Sequence, residues 1–168
     1  MTPAPTSFEI RPARPGDATA ARSLLRDAFV GTPYLPRALE MLEEALEEAL
    51  GGTSREALAI VAAGAGGAVV GLAAYGETAG AVGAGRLHLI AVTASTRRRG
   101  VGARLVHAVA RDLGESGARF IIAELPDDSR LAPGRELLLR CGFGEEARVP
   151  DFYADGVALA FFRRALGA

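Results

Sequence analysis

Three consecutive arginines, Arg97-Arg98-Arg99, run straight into Gly100-Val101-Gly102. Guanidinium groups pair with phosphate oxygens through parallel hydrogen bonds, and glycine lets backbone amides approach a ligand without Cβ interference. Beyond them, Leu105, Val106, Val109, Ala110 and Leu113 fall on one stripe of a helix. The first turn of a helix leaves N–H groups without partners, and such an end holds anions. The spacing therefore suits the seating of a pyrophosphate. A nucleotide-triphosphate loop requires Gly-Lys-Ser/Thr, and this chain contains no lysine. A dinucleotide loop expects G-x-G-x-x-G, but Gly102 is followed by Ala103, Arg104 and Leu105. The competing reading is a solvated arginine cluster at an ordinary turn.

Other residues able to do chemistry are few. His88 lies in Arg86-Leu87-His88-Leu89-Ile90-Ala91-Val92, where strand alternation puts it on one face with Arg86, Ile90 and Val92. Its imidazole titrates near neutrality and can move a proton. His107 falls on the surface of the helix after the glycines. Cys141, at an apolar helix end, reads as a packing thiol, and a single cysteine excludes an internal disulfide. Two histidines and one cysteine offer no credible metal cluster.

The elements that must position these residues follow from periodicity and turn chemistry. Strands are expected at 8–12, 57–64, 68–76, 86–92, 119–125, 143–149 and 157–163. Helices are expected at 17–29, with Asp17 as N-cap, and at 36–50, 100–113 and 133–140. The second helix carries Leu39, Leu42, Leu46 and Leu50 on one side and Glu40, Glu43, Glu44, Glu47 and Glu48 on its surface. Residues 76–85 and 150–156 are expected to be loops. The strand-helix-strand unit 86–125 calls for parallel neighbours, whereas 57–76 is a hairpin.

The segment 88–106 resembles the central motif of the Gcn5-related N-acetyltransferases, the GNAT family. That motif is a strand ending in an apolar-Ala-Val triplet, here Ile90-Ala91-Val92, then Arg/Gln-x-x-Gly-x-Gly/Ala, here Arg97-x-x-Gly100-x-Gly102. IRPARPGDATAARSLL (10–25) resembles the family's opening strand and helix, and Cys141-Gly142-Phe143 its later Gly-Phe motif. The resemblance covers residues 8–165 as one N-acetyltransferase domain. It implies an α/β fold of mixed α+β character: a mixed seven-stranded sheet, four main helices, and a fourth and fifth strand that splay apart. Acetyl-CoA would enter that cleft as co-substrate. Its pantetheine would run along Ala91, Val92 and Thr93, and its pyrophosphate would lie on Arg97, Arg98, Arg99, Gly100, Val101, Gly102 and Ala103.

The same resemblance suggests catalytic positions. Arg86-Leu87-His88-Leu89-Ile90-Ala91-Val92 is similar to the His-Leu-His-Ala-Leu-Ala-Val strand of arylalkylamine-type members, which makes His88 the expected base. Arg86 replaces the first histidine of that pair. Many members carry a tyrosine acid four residues before the Gly of Gly-Phe, where this chain has Leu138. Tyr153 is the expected substitute. Glu124 stands where some members keep a glutamate near the catalytic water. Tyr34 and Leu35 would shape the acceptor pocket, and Glu77 with Asp127 and Asp128 could draw in a cationic amine.

Composition bounds the remaining classes. Hydrophobic residues make up 49% and charged residues 23%, enough for a packed core. A formal net charge of -1 argues against nucleic-acid binding, which needs cations aligned along phosphates. The chain shows no signal peptide and no apolar run of membrane-spanning length, so a soluble cytoplasmic protein is expected. The expected activity is acetyl transfer to a primary amine of a small molecule or amino acid. A peptide N-terminus or protein lysine, and an acyl-CoA sensor with little turnover, are the alternatives. The sequence leaves a homodimer open.

Overall fold

The computed structural model describes residues 7–49 and 51–167. Seven strands form one sheet: β1 (Glu9–Pro12), β2 (Leu58–Ala63), β3 (Val69–Glu77), β4 (Ala84–Val92), β5 (Phe120–Pro126), β6 (Gly144–Ala154) and β7 (Val157–Ala165). Four helices accompany them: α1 (Ala18–Ala28), α2 (Leu35–Ala49), α3 (Val101–Glu115) and α4 (Ala132–Arg140). The strand order is β1-β2-β3-β4-β5-β7-β6, and every neighbouring pair is antiparallel except β4 with β5. The helix α3 makes the crossover between those two parallel strands, as a strand-helix-strand unit requires.

Each face of the sheet has its own core. Leu105, Val109 and Leu113 of α3 pack with Leu138 of α4 against Leu87, Ile121 and Phe162. On the other face, Leu24 and Leu25 of α1 and Leu42 and Leu46 of α2 cover Val61, Leu72, Leu89 and Ala91. This second core takes its sheet residues from β2, β3 and β4 and stops there. Leu50, expected to extend the α2 stripe, lies outside the described residues.

Three expectations need correction. Asp17 precedes α1, but its carboxylate does not cap it. Instead it takes both Arg11 guanidinium nitrogens, at 2.7 and 2.9 Å, and the Arg14 amide at 2.7 Å. Turned towards β1, it pins the first strand to the start of α1. Second, most of 150–156 belongs to β6, which continues to Ala154. The strand tolerates Pro150 because β6 is the sheet edge, where a missing N–H costs no ladder bond. Between Val149↔Leu159 and Ala154↔Val157 it carries three more residues than β7, so Pro150–Tyr153 bulge out of the ladder. Third, the strand spans around 76–85 reach further than expected, leaving only Thr78–Gly83 as connection.

The Arg11–Asp17 pair is nearly enclosed, with side chains 12% and 9% exposed. The Arg11 hydrogen bonds hold the Asp17 carboxyl below its ordinary pKa. Its contribution is therefore complete above the unfolded pKa near 4 and disappears as pH falls through the lower folded value. Asp17→Asn should lose roughly 3 kcal/mol in urea unfolding at pH 7, because it strands a buried guanidinium. The gap between wild type and variant should shrink in acid below about pH 4.

Candidate active site

The β4–α3 loop is built from local hydrogen bonds. A 3-10 turn spans Ala94–Thr96, with the Thr93 and Thr96 hydroxyls 2.7 Å apart and Thr96 donating to the Val70 carbonyl. Arg97 Nε donates to the Val92 carbonyl at 3.2 Å, folding the loop back over the strand end. Arg98 (φ 60) and Gly100 (φ 82) then adopt left-handed backbone. Left-handed residues interspersed this way turn consecutive amides into a concavity suited to an anion. The first described backbone bond into α3 runs from Arg104 N–H to Gly100 O at 3.0 Å. The amides of Val101, Gly102 and Ala103 precede it and lack intrahelical acceptors by construction.

The two glycines have different reasons. A Cβ at Gly100 would meet nothing within 4 Å, so its requirement is the left-handed φ. A Cβ at Gly102 would lie 2.9 Å from Leu137 Cδ2, so that position lets α4 approach α3. From the sequence, both glycines are expected to let backbone amides approach a ligand. The structure gives the second a packing purpose as well.

Beside this loop the sheet opens. β4 and β5 pair only from Ala84↔Phe120 to Leu87↔Ala123, although β4 runs on to Val92 and β5 to Pro126. On its other side β4 stays paired with β3 up to Gly71↔Val92. The edge of β4 that includes Ala91 and Val92 therefore borders a gap. Thr93 follows, its amide held by the Val70 carbonyl at 2.9 Å. A gap of this kind leaves strand amides and carbonyls available to an extended, amide-bearing ligand.

Pairing stops where β4 carries an extra residue. Tyr75 faces Leu87 and Ala74 faces Leu89, so His88 has no counterpart on β3. This bulge also overturns the expected face. Leu87, Ile90 and Val92 belong to the α3 side, whereas Leu89 and Ala91 belong to the α1/α2 side. Regular alternation is broken at His88, which does not share a face with Ile90 and Val92. Its Nε2 lies 3.1 Å from the Glu56 carbonyl, and Glu44 and Arg37 of α2 act on its charge. Burial pushes the imidazole pKa below its ordinary value. The Glu56 carbonyl and Glu44 oppose that shift, while Arg86 and Arg37 reinforce it.

The other expected catalytic residues gather on the α1/α2 side of the cleft, which no part of the second core covers beyond β4. Arg86 Nη1 approaches Glu124 Oε1 at 3.3 Å. Burial first, and then the Glu124 charge, raise the Tyr153 pKa, keeping its hydroxyl protonated. The Tyr153 ring meets Tyr34 edge-on at 6.1 Å and Phe152 at 5.0 Å. Tyr34 donates to Asp128 at 2.9 Å, and Arg130 grips the same carboxylate while donating to the Gly31 carbonyl at 2.9 Å. The Arg130 hydrogen bonds hold Asp128 ionised far below the usual carboxylate range. The α1–α2 joint is thus tied across the cleft mouth to the loop after β5.

Several carboxylates are already paired. Asp127 bonds Arg148, Glu77 bonds Arg55, Glu43 bonds Arg22, and Glu40 and Glu44 bond Arg37. Leu138, in the position of the missing tyrosine, is buried in the α3-side core. Cys141 is buried there too, and burial raises its thiol pKa. His107 is exposed on α3. Among the described residues, no three His, Cys, Asp or Glu side chains come together as metal ligands, and no helix is long and apolar enough to cross a membrane.

A family model described as "Acetyltransferase (GNAT) family" matches residues 20–143. The chain belongs to the GNAT acetyltransferases. Among solved structures, a Desulfovibrio desulfuricans protein described as an acetyltransferase of the GNAT family superposes with a TM-score of 0.82 at 27% identity. It covers 96% of this chain and 100% of its own. The ribosomal-protein-alanine N-acetyltransferase of Brucella melitensis gives 0.72 at 23% identity, over 94% and 99% of the two chains. Salmonella typhimurium yncA, solved with its cofactor acetyl-CoA, gives 0.73 at 19% identity, over 95% and 94%. The last two share the fold. No curated protein matches the chain. The mixed seven-stranded sheet with four helices is the GNAT fold expected from the sequence.

The Gly102–Leu137 contact makes a stability prediction. Gly102→Val should cost about 1–3 kcal/mol through overpacking. Combined with Leu137→Ala, it should cost less than the sum of the two single changes, since the second removes the obstructing atoms. Urea titration of all four proteins reads the coupling, and strict additivity would contradict the contact.

Proposed function

We propose that this GNAT protein transfers the acetyl group of acetyl-CoA to the primary amine of a small molecule or amino acid. Residues 8–165 would form the catalytic unit. The observation that carries the reading is the β4/β5 ladder, which ends at Leu87↔Ala123 beside a loop with left-handed Arg98 and Gly100. The gap suits the pantetheine arm along Ala91, Val92 and Thr93. The loop and first turn of α3, from Arg97 and Arg98 through Arg99, Gly100, Val101, Gly102 and Ala103, suit the pyrophosphate. Bound there, the thioester supplies the acetyl group.

Three proton and charge problems remain for the protein. An amine arrives as ammonium and must lose a proton before it can attack. His88, whose lowered pKa keeps it neutral at pH 7, is the proposed acceptor of that proton. The nitrogen then attacks the thioester carbon, and a backbone N–H at the end of β4 near Val92 stabilises the oxyanion. As the intermediate collapses the C–S bond breaks, and the thiolate takes a proton from Tyr153, which is protonated and stands near Glu124. The second proton of the former ammonium leaves the amide nitrogen through water to restore the Tyr153 hydroxyl. The proposed role of Glu124 is to orient the amine, with Arg86 as its counter-ion.

Leu138 gives specific support to a second reading, an acyl-CoA sensor, because the helix that would otherwise supply an acid offers only a buried aliphatic side chain. CoA release measured over a panel of amines separates the two. Amine-dependent release is expected; tight acetyl-CoA binding without it selects the sensor. Gly100→Val should raise the acetyl-CoA Kd at least about tenfold, or ~1.4 kcal/mol. His88→Ala should lower kcat/KM for the amine by about 10²–10⁴ and remove an acid limb centred below pH ~6.5. Tyr153→Phe should lower kcat and abolish a basic limb lying above pH ~10. An unchanged profile in either variant removes that residue from its role.

A further inference from the structure

Gly76 of β3 faces Arg86 across the β3–β4 ladder, one residue from the bulge that holds His88. A Cβ built there would fall 2.0 Å from the Glu56 carbonyl oxygen, 2.2 Å from its carbon and 2.6 Å from the Arg55 oxygen. Those are backbone atoms, which cannot swing aside. The segment before β2 therefore passes directly over Gly76, in the space any other residue would fill with its side chain. What crosses there is the carbonyl that His88 Nε2 meets at 3.1 Å.

The crossing is clamped from several sides. The Glu77 amide donates to the Arg55 carbonyl at 2.7 Å. Arg55 Nε donates to Glu77 Oε1 at 2.9 Å, and Nη2 to Asp112 Oδ2 at 2.7 Å. The buried Tyr75 hydroxyl donates to the same Asp112 oxygen at 3.1 Å. Residues 55 and 56 are thereby fixed to β3 and to α3, and the Glu56 carbonyl has one location. A carbonyl oxygen only accepts, so the ring nitrogen facing it must carry the hydrogen.

We infer that Gly76 is a positioning residue for the base: by admitting the Glu56 carbonyl over β3, it fixes His88 as the Nε2–H tautomer and leaves Nδ1 as the proton-accepting nitrogen. The inference rests on the proposed role of His88. On that reading Nδ1 takes one proton from the ammonium, the ring becomes a cation with both nitrogens protonated, and the same Nδ1 proton is later given to water. Nε2–H stays on Glu56 throughout. The charged groups facing the ring are Arg86 on its own strand and Glu44 and Arg37 on α2, so the cation forms with one acidic neighbour and two basic ones. The fixed acceptor at Nε2 is what offsets that balance.

The chain has two histidines, so ¹⁵N-histidine spectra of wild type and His107→Gln assign His88 directly. The Nε2–H tautomer is expected at neutral pH; finding the Nδ1–H form overturns the inference. Gly76→Ala should mix the tautomers, lower kcat/KM for the amine by about 10–100-fold and move the acid limb of the pH profile, with the acetyl-CoA KM within about twofold. If Gly76→Ala does not fold, Arg55→Met tests the clamp and should shift the same signals and limb. Tautomer and pH profile unchanged in the folded variant would refute the positioning role. The base assignment fails separately, if His88→Ala keeps the wild-type profile, since the tautomer is read without turnover.

Discussion

One additional residue in β4 governs the architecture of the cleft. A bulge bends the strand that contains it and sharpens its twist. Here the bend comes at His88, and parallel pairing with β5 ends at Leu87, one residue earlier. Antiparallel pairing with β3 continues past the bulge to Val92, so β4 departs from β5 while its other edge stays anchored. The sheet gives up several hydrogen bonds on one side only. The same insertion breaks alternation and places an imidazole on the α1/α2 side, whereas Ile90 and Val92 face α3. Gap and candidate base thus arise from a single irregularity.

The helices complete what the bulge begins. α3 packs against the sheet through Leu105, Val109 and Leu113, which fixes where its first turn points. α4 comes close enough to support that turn only because Gly102 leaves room for Leu137. On the opposite face α1 and α2 seal β2, β3 and β4 and leave β5 and β7 without a helical cover from the second core. Glu124 and Tyr153 can therefore border a space open to an acceptor. The Tyr34–Asp128–Arg130–Gly31 network closes one side of that space by joining the α1–α2 joint to the start of α4. These are ion pairs and hydrogen bonds near solvent, whose value lies more in geometry than in stability.

Much of this was legible in the residues. Seven strands and four helices were readable because each has a strong period, a turn boundary, or both. The loop at 97–102 stood out because cations and glycines occur together where a strand passes into a helix. What escaped depends on contacts distant in sequence. Asp17 has the residue type and place of an N-cap, but Arg11 competes for its carboxylate with two hydrogen bonds. Pro150 and Asp151 have turn composition, yet an edge strand accepts both as a bulge. A bulge at His88 cannot be seen in RLHLIAV, since only the β3 register shows that one residue is extra. Gly76 is an isolated glycine closing an apolar strand, a pattern compatible with close backbone approach, but nothing in the sequence tells which segment approaches it.

Environment then separates the two candidate proton carriers. Burial acts on both, but with opposite effect, because it disfavours the charged form of each. His88 loses affinity for its proton and is held neutral. Tyr153 holds its proton more tightly, and the neighbouring Glu124 charge adds to that. On the proposed roles, partial burial thereby favours a neutral His88 and a protonated Tyr153, the protonation states that a base and an acid for amine acetylation would need. Arg86, whose charge acts on His88, and Glu124, whose charge acts on Tyr153, face each other 3.3 Å apart. Their pairing lets the cleft hold a carboxylate near Tyr153 and a cation near His88 while each helps to neutralise the other. Pairing offsets part of each field, but the nearer charge still acts in the same direction as burial: Arg86 disfavours imidazolium and Glu124 disfavours phenolate.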